Sequence, residues 1–510
     1  MSDRGGLSLG LGPDLGCWQG RALAAFAGGA AALSLPPFDL WYVVFPAFAL
    51  IAALVAVAPD ARTAAWRAWS AGAGWFGVAM HWIVQPFFVD AAATGWMAPF
   101  ALILMAGGLA LFWGLAGWLS ARIAGPGAGR ALVFAGLATL SEALRGHIFT
   151  GLPWAEPGHG LIGSQALALS AYGGSYGLTL LLLTLSATSA AIFLSRGPLW
   201  AGLPLAVGLA IGLIPLTPPA PPPAADAAVL RIVQINAPQH LKWRSDMMPV
   251  FFDRGVSLTA SAVGPLGAPD LVIWPETSLP QILGQSDTAR ARLAEASGGA
   301  QILVGGQRYA GVEARNVLAH LTPEGDIAAV YDKHHLVPFG EYLPLRGLAE
   351  RLGARWIAQQ LSGGYRPGPG PALIDLGPLG RAFPMICYEA IFPGYIRAVD
   401  RPDWMVQVTN DAWFGSFAMP YQHLALARLR AAEQGLPLIR AANTGVSALI
   451  DARGDLVQTL PMDTHGVIDA VMPVALPPTF YARIGDWPAL ILAIFVTLSG
   501  FAVARRRLSH

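Results

Sequence analysis

Between residues 18 and 216 the chain carries few acidic or basic side chains, whereas residues 227 to 485 have the make-up of an ordinary globular domain. One soluble fold cannot hold both halves, because a surface facing water needs charge. Over all 510 residues only 12% are charged against 54% hydrophobic, where a soluble protein carries about twice that charged share. The mean hydropathy is +0.50, and the length alone calls for more than one domain.

A bilayer span needs about 20 mostly apolar residues at a rise of about 1.5 Å each. Seven candidates precede residue 217, at 19–36, 39–58, 65–88, 95–121, 131–149, 167–194 and 198–215, and an eighth runs from Trp487 to Ala504. Pro86 can split the third, and Pro204 falls inside the seventh. Residues 1–17 hold Arg4 but no apolar core ahead of a small-residue cleavage site, so no cleavable signal is expected. Gly16-Cys17 lacks the hydrophobic run of a lipobox, and Cys17 reads as an incidental thiol.

The arginines orient these spans. Arg4, Arg62, Arg67, Arg122, Arg130, Arg196 and Arg505 to Arg507 fall on one side of an eight-span arrangement. Asp39, Asp90 and Glu156 fall on the other, with Arg145 as the exception. Both termini are then expected in the cytoplasm. The polar domain, entered after an odd number of spans, is expected to face outward, which for a bacterial inner membrane means the periplasm. The layout predicted is a seven-span transmembrane domain over 1–216, a linker over 217–226, the outer domain over 227–485, and a last span with a cytoplasmic tail over 486–510. Pro215-Leu216-Thr217-Pro218-Pro219-Ala220-Pro221-Pro222-Pro223 suits this boundary, since it cannot continue a helix and favours an extended spacer.

Short apolar, β-rich runs in the outer domain predict strands at 229–237, 271–274, 301–305, 317–321, 328–331, 382–386, 404–409 and 438–442, with helical patterns near 286–297 and 421–434. Strands with helices between them imply a sheet covered by helices. A net charge of +1 without a basic run excludes a nucleic-acid partner. Two cysteines, Cys17 and Cys387, are too far apart in sequence to suggest a disulfide framework or a zinc site.

Three motifs end apolar strands in polar residues: Val272-Ile273-Trp274-Pro275-Glu276-Thr277, the run Tyr331-Asp332-Lys333-His334-His335-Leu336-Val337-Pro338-Phe339-Gly340-Glu341-Tyr342, and Pro384-Met385-Ile386-Cys387-Tyr388-Glu389. Lys333 is one of two lysines against thirty arginines. Side chains at strand ends open onto clefts, while strand interiors pack in the core. Singly, Glu276 reads as a surface residue, Lys333 as a solvated turn lysine and Cys387 as a small buried hydrophobe. Together, Glu, Lys and Cys supply a base, a fixed cation and a nucleophile, the kit for covalent acyl transfer. A thiol must lose its proton to attack. Glu276 can take that proton and return it to a leaving group, and Lys333 can stabilise the charge that develops on a tetrahedral intermediate.

These motifs resemble the carbon–nitrogen hydrolase (nitrilase) superfamily and, with eight spans, its membrane branch, the apolipoprotein N-acyltransferase family. The resemblance extends through Val408-Thr409-Asn410-Asp411-Ala412-Trp413-Phe414-Gly415, Arg440-Ala441-Ala442-Asn443-Thr444-Gly445-Val446-Ser447, the pair Glu142 and Arg145, and Gly151-Leu152-Pro153-Trp154. It implies an α-β-β-α sandwich beside the eight-span helical domain. It also implies Glu276 as general base, Lys333 as oxyanion stabiliser and Cys387 as nucleophile, with supporting roles for Trp243, Glu341, Tyr388 and Glu389. Glu341 can instead merely pair with an arginine, and Tyr388 merely pack.

The reaction implied moves an acyl chain from a phospholipid, phosphatidylethanolamine, through a Cys387 thioester to the α-amine of an S-diacylglyceryl cysteine at the N-terminus of an apolipoprotein. No metal or organic cofactor is needed, and nothing demands more than a monomer. Trp413, Phe414, Phe417 and Met419 lie within seven residues beside Gly415 and Ala418, and such an apolar, glycine-hinged loop can admit an acyl chain. Packing on the core is the alternative. Glu142 and Arg145 can pair on one helix face, for function or only for structure. Two other readings compete: a membrane-tethered amidase with water as acceptor, for which seven preceding spans are excessive, and a transporter, which calls for ionisable or broken helices at mid-membrane.

Overall fold

A computed structural model of the chain describes residues 17–344 and 364–506. Arg4 and Arg507, used above for orientation, lie outside them. The chain divides into two units. The first takes the residues up to Pro218 with Phe417–Ala425 and those from Thr479 onward, and the second takes Pro219–Ser416 with Leu426–Pro478.

In the first unit each predicted apolar stretch carries a helix: Cys17–Ala31, Val44–Ala56, Ala61–Ala79, Ala98–Ile123, Ala128–His147, Ser170–Arg196, Pro198–Leu213 and Trp487–Arg506. Among the described residues, three helical stretches are long and apolar enough to cross a membrane: Ala91–Ile123, Gln165–Arg196 and Trp487–Arg506. Trp41–Ala56 and Pro198–Leu213 are apolar but shorter. The third stretch, expected to run to residue 88, stops as an α-helix at Ala79 and continues as a tighter 3-10 turn over His81–Phe88. Pro86 has no N–H and its ring clashes with the carbonyl four residues before it, which bars an α-helix across the end of the stretch, though the α-helix already stops seven residues earlier.

Helices approach here through small residues. A Cβ on Gly28 would lie 1.9 Å from the Ala71 carbonyl oxygen, and one on Gly74 would lie 2.0 Å from that of Ala25. The helices Cys17–Ala31 and Ala61–Ala79 therefore meet backbone to backbone. Two of the orienting arginines are buried rather than solvated. Arg67 donates to the Leu54 carbonyl at 2.8 Å, and Arg130 to those of Ala124 and Ala58 at 2.9 and 2.5 Å. These carbonyls lie at helix C-terminal ends, where no intrahelical donor remains.

The second unit holds two six-stranded sheets. The first runs β12-β1-β2-β3-β4-β5, from Gly466–Val471, Val229–Gln234, Leu271–Ile273, Gln301–Ala310, Glu313–Leu321 and Ile327–Asp332. The second runs β11-β10-β9-β8-β7-β6, from Leu456–Leu460, Ser447–Ile450, Leu438–Ala442, Trp404–Thr409, Arg381–Ile386 and Ile374–Asp375. Strands β1, β2 and β3 are parallel, as are β7, β8 and β9, and their neighbours outward are antiparallel. The eight predicted strands are present. The additional β6, β10, β11 and β12 lack a long apolar run, and β11 is exposed at most positions.

Alternation along β1 shows where the core sits. Leu230 and Ile232 enter an apolar cluster with Ile386, Val406 and Ile439 of the other sheet. Val233 enters a second cluster with Phe251 and Phe252 of helix Met248–Thr259 and Leu293 of helix Asp287–Ser297. The parallel strands β2 and β7 then deliver Glu276 and Cys387 just past their C-terminal ends, where clefts form in sheets of this kind.

Candidate active site

Glu276 follows β2 in a turn laid against the backbone of β3. A Cβ on Gly305 would lie 2.3 Å from the Pro275 carbonyl oxygen and 2.6 Å from the Glu276 Cα, so only glycine allows this approach. Main-chain N–H groups of Ser278 and Leu279 donate to the Gly305 carbonyl at 2.8 and 3.1 Å and close the turn. The Glu276 carboxylate is buried. It accepts from Asn316 Nδ2 at 2.7 Å on Oε1 and from the Asn410 main-chain N–H at 2.8 Å on Oε2.

Lys333 follows β5 directly, and its own N–H donates to the Asn316 carbonyl at 2.9 Å. Its ammonium is 1% exposed, donates to Glu341 Oε1 at 2.9 Å and lies 3.7 Å from Glu276 Oε1. Glu341 accepts from the Val337 N–H at 2.7 Å and from Asn316 Nδ2 at 3.4 Å. The buried Glu276 and the partly exposed Glu341 carboxylates thus share one buried ammonium. Burial disfavours the ammonium, but Glu341, Glu276 and Cys387 outweigh it and hold Lys333 protonated above the usual lysine range. Burial raises Glu276 above the usual carboxylate range; Lys333 opposes this and Glu341 adds to it.

Cys387 directly follows β7 with φ of 53°, in the left-handed region that non-glycine residues seldom adopt. Such strain at a reactive side chain is typical of functional sites. Gln407 Nε2 donates to its carbonyl at 3.3 Å. Burial pushes the thiol well above its ordinary value, Glu276 pushes it further, and Lys333 pulls it back. The resting site therefore holds a neutral thiol beside a carboxylate able to receive its proton.

Glu389 ties the cysteine turn to the lysine segment. Its Oε2 accepts from the Ile386 N–H at 2.8 Å, and its Oε1 accepts from the His334 and His335 N–H groups at 2.8 and 3.2 Å and from the Tyr331 hydroxyl at 2.9 Å. Burial alone raises its pKa, but His334 and the other donors prevail and hold it below the usual carboxylate range. Tyr388 lies with its ring 5.5 Å from His335 and 5.2 Å from Phe392. Trp243 is 43% exposed and lines an apolar pocket with Lys242, Met248, Phe251 and Leu279.

The structure therefore brings Glu276, Lys333, Glu341 and Cys387 into one electrostatically coupled cluster, with Glu389 bracing it. Among the described residues Glu341 pairs with Lys333 and not with an arginine. Trp413 and Phe414 stand on the short turn Asp411–Phe414 and are not among the groups that hold the cluster. Met419 is buried at the head of helix Met419–Gln434, and Phe417 is exposed. Sequence reasoning missed Asn316, whose amide bridges both carboxylates, and Tyr365, whose hydroxyl accepts from Gln307 and feels Glu276 and Glu341. A signal for Asn316 was available: a polar amide within the β4 run Val317-Leu318-Ala319 and its flank, on a strand beside the lysine strand.

A family model described as the apolipoprotein N-acyltransferase N-terminal domain matches residues 27–188, and one described as carbon-nitrogen hydrolase matches residues 230–476. An apolipoprotein N-acyltransferase of Caulobacter vibrioides is 39% identical, covering 96% of this chain and 95% of its own length. That of Rhodopseudomonas palustris is 37% identical, covering 94% of each. Among solved structures, a mutant amidase from Nesterenkonia sp. AN1 is similar to 52% of this chain over 96% of its own length, at 18% identity and a TM-score of 0.37. With relatives matched from end to end and both halves matched by family models, the chain belongs to the apolipoprotein N-acyltransferase family and is an acyltransferase of lipoprotein biosynthesis with a carbon–nitrogen hydrolase domain.

Proposed function

We propose that Cys387 carries the acyl group as a thioester in a two-step, ping-pong transfer. Glu276 takes the thiol proton as sulfur attacks an ester carbonyl of a phospholipid, with phosphatidylethanolamine as the donor. The ester C–O bond breaks, and Glu276 returns the proton to the departing lysophospholipid oxygen. In the second step the α-amine of the diacylated N-terminal cysteine attacks the thioester. Glu276 takes the amine proton and returns it to the departing sulfur. Lys333 faces the oxyanion in both steps. The observation that carries this reading is the pair of carboxylates on one buried ammonium: Glu341 neutralises Lys333 at 2.9 Å and leaves Glu276, 3.7 Å away, free to exchange a proton. Trp243, Tyr388, Trp413 and Phe414 serve the lipid, and Glu389 the geometry of the cysteine turn.

The same reading includes eight spans over 1–216 and 486–510, a linker over 217–226, and an α-β-β-α sandwich over 227–485 facing the periplasm, with both termini in the cytoplasm of a monomeric inner-membrane protein. The arginines outside the buried pair Arg67 and Arg130 support that orientation.

The test is the intact mass of detergent-purified protein after exposure to phospholipid without an amine acceptor, beside a Cys387→Ala control. A hydroxylamine-labile acyl adduct confined to the unmutated protein is expected. Well-folded, lipid-bound protein without the adduct would overturn the thioester.

A further inference from the structure

The chain has a second lysine, Lys242, to which the chemistry above gives no part. It ends the short helix Gln239–Lys242 and is buried. Its ammonium donates to the Glu276 main-chain carbonyl at 3.1 Å and to Thr277 Oγ1 at 2.8 Å, and lies 5.5 Å from the Trp243 ring centroid. Both acceptors are neutral. A buried ammonium bonded only to neutral oxygens is costly, so its retention calls for a reason.

The segment it grips supplies one. Thr277 has φ of 48°, and a β-branched residue in the left-handed region is strained. The turn that presents Glu276 is thus not the one its own residues prefer, and something must hold it. Gly305 makes room for the turn on one side, and Lys242 bonds it at two successive residues. Its charge matters as well. Burial lowers its pKa to about 8 while Glu276 holds it up, so the ammonium is mostly charged at neutral pH. That charge in turn favours the ionised Glu276.

We propose that Lys242 is a positioning residue for Glu276, locking the Glu276–Thr277 turn through the Glu276 carbonyl and the Thr277 hydroxyl and lending a second positive charge that keeps the carboxylate ready to accept the Cys387 proton. The inference rests on Glu276 acting as the base. Lys333 also favours the ionised Glu276 from 3.7 Å, but it is shared with Glu341 at 2.9 Å, whereas Lys242 is the lysine that bonds the turn itself. The charged and titratable groups facing Glu276 are Lys333, Glu341, Cys387, Tyr365 and Lys242 itself, and the neutral Asn316 and Asn410 complete its shell.

The experiment follows acyl-enzyme formation from phospholipid by quench and intact mass from pH 5.5 to 9.5. It uses the full chain in detergent and compares Lys242→Gln, Lys242→Met, Lys242→Arg and Glu276→Gln. Either neutral variant that melts within a few degrees of the unmutated protein should lose about tenfold more rate at pH 6 than at pH 9, its acid limb displaced upward. Lys242→Arg should keep the limb in place. A neutral variant with an unmoved limb, or an Arg variant displaced as far as Gln, overturns the proposal. If neither neutral variant folds while Lys242→Arg does, Lys242 belongs to stability and the positioning role also falls. Glu276→Gln separates the two levels. If it retains the acid limb, Glu276 is not the titrating base and the reading beneath the inference fails. If the limb vanishes there but stays put in Lys242→Gln, only the inference fails.

Discussion

Each unit buries a cluster of opposite charges, and the two are built to different rules. In the helical unit Glu142 and Arg145 lie 2.5 Å apart, almost wholly buried and one helical turn apart on the same helix. Trp113 Nε1 donates to Glu142 at 2.7 Å, Arg145 also donates to the Leu152 carbonyl, and its guanidinium lies 5.1 Å from the Phe76 ring centroid. One anion meets one cation, and the surrounding groups complete the set. In the sheet unit Glu276 and Glu341 share Lys333, with the Cys387 thiol coupled to them. That cluster sets two carboxylates and a thiol against the ammonium groups of Lys333 and Lys242, so the acid groups outnumber the cations. A closed pair makes a structural pin; an unbalanced set makes a proton-transfer site.

Breaking the unbalanced set should have the largest effect. Lys333→Met takes away the cation that Glu276 and Glu341 share and removes the group facing the oxyanion, so acyl-enzyme formation should fall by about a thousandfold or more. A rate within about tenfold of the unmutated enzyme would dissolve the contrast. Gly305→Ala comes next. Its methyl would displace the Pro275–Glu276 backbone, and a misplaced base should slow the same step by about a hundredfold with little change in lipid binding.

The closed pair should respond in the opposite currency. Glu142→Gln leaves Arg145 buried without its anion, which should destabilise the helical unit by about 3 kcal/mol, read as a lower melting temperature in detergent. The chemistry of a sample that stays folded should be little altered. Glu341→Gln should show the reverse, with activity falling more steeply than stability. A large loss of activity in folded Glu142→Gln would instead return that pair to function and erase the distinction.

The base, cation and nucleophile were legible because each ends an apolar strand in a polar residue, a pattern that local sequence displays directly. Glu341 was legible as a residue but not as a choice between partners, since only the fold puts Val337 and Lys333 on its two oxygens. Asn316 and Lys242 were not assigned at all. They reach Glu276 or its turn across 40 and 34 residues, and no spacing in the sequence carries such a contact. Apolar runs marked every long helix of the first unit, but not their lengths. One α-helix stops at Ala79, short of the apolar run, and buried Arg67 and Arg130 turned out to cap neighbouring helix ends. Strands β6, β10, β11 and β12 escaped because short or exposed strands owe their pairing to neighbours rather than to an apolar run.

The last expected effect is confined to low pH and concerns protons at the edge of the unbalanced cluster. His335 stacks on Phe392 with ring centroids 4.0 Å apart, and its Nδ1 meets the Tyr395 hydroxyl. Burial first, then His334 and Lys333, against Glu389, lower its pKa from 6.5 to about 4. An unfolded chain therefore binds a proton at this histidine between pH 6.5 and about 4 that the folded protein does not. Stability linked to His335 is complete above the unfolded value and is lost as pH falls through this window, by up to about 3 kcal/mol. Melting curves from pH 7 to 4 should steepen downward below pH 6.5 in the unmutated protein and flatten in His335→Phe, which keeps the stacking but cannot be protonated. Parallel curves would mean that the imidazole takes up its proton in the folded state as readily as in water, and that the sensitivity to protons stops at the two carboxylates and the thiol.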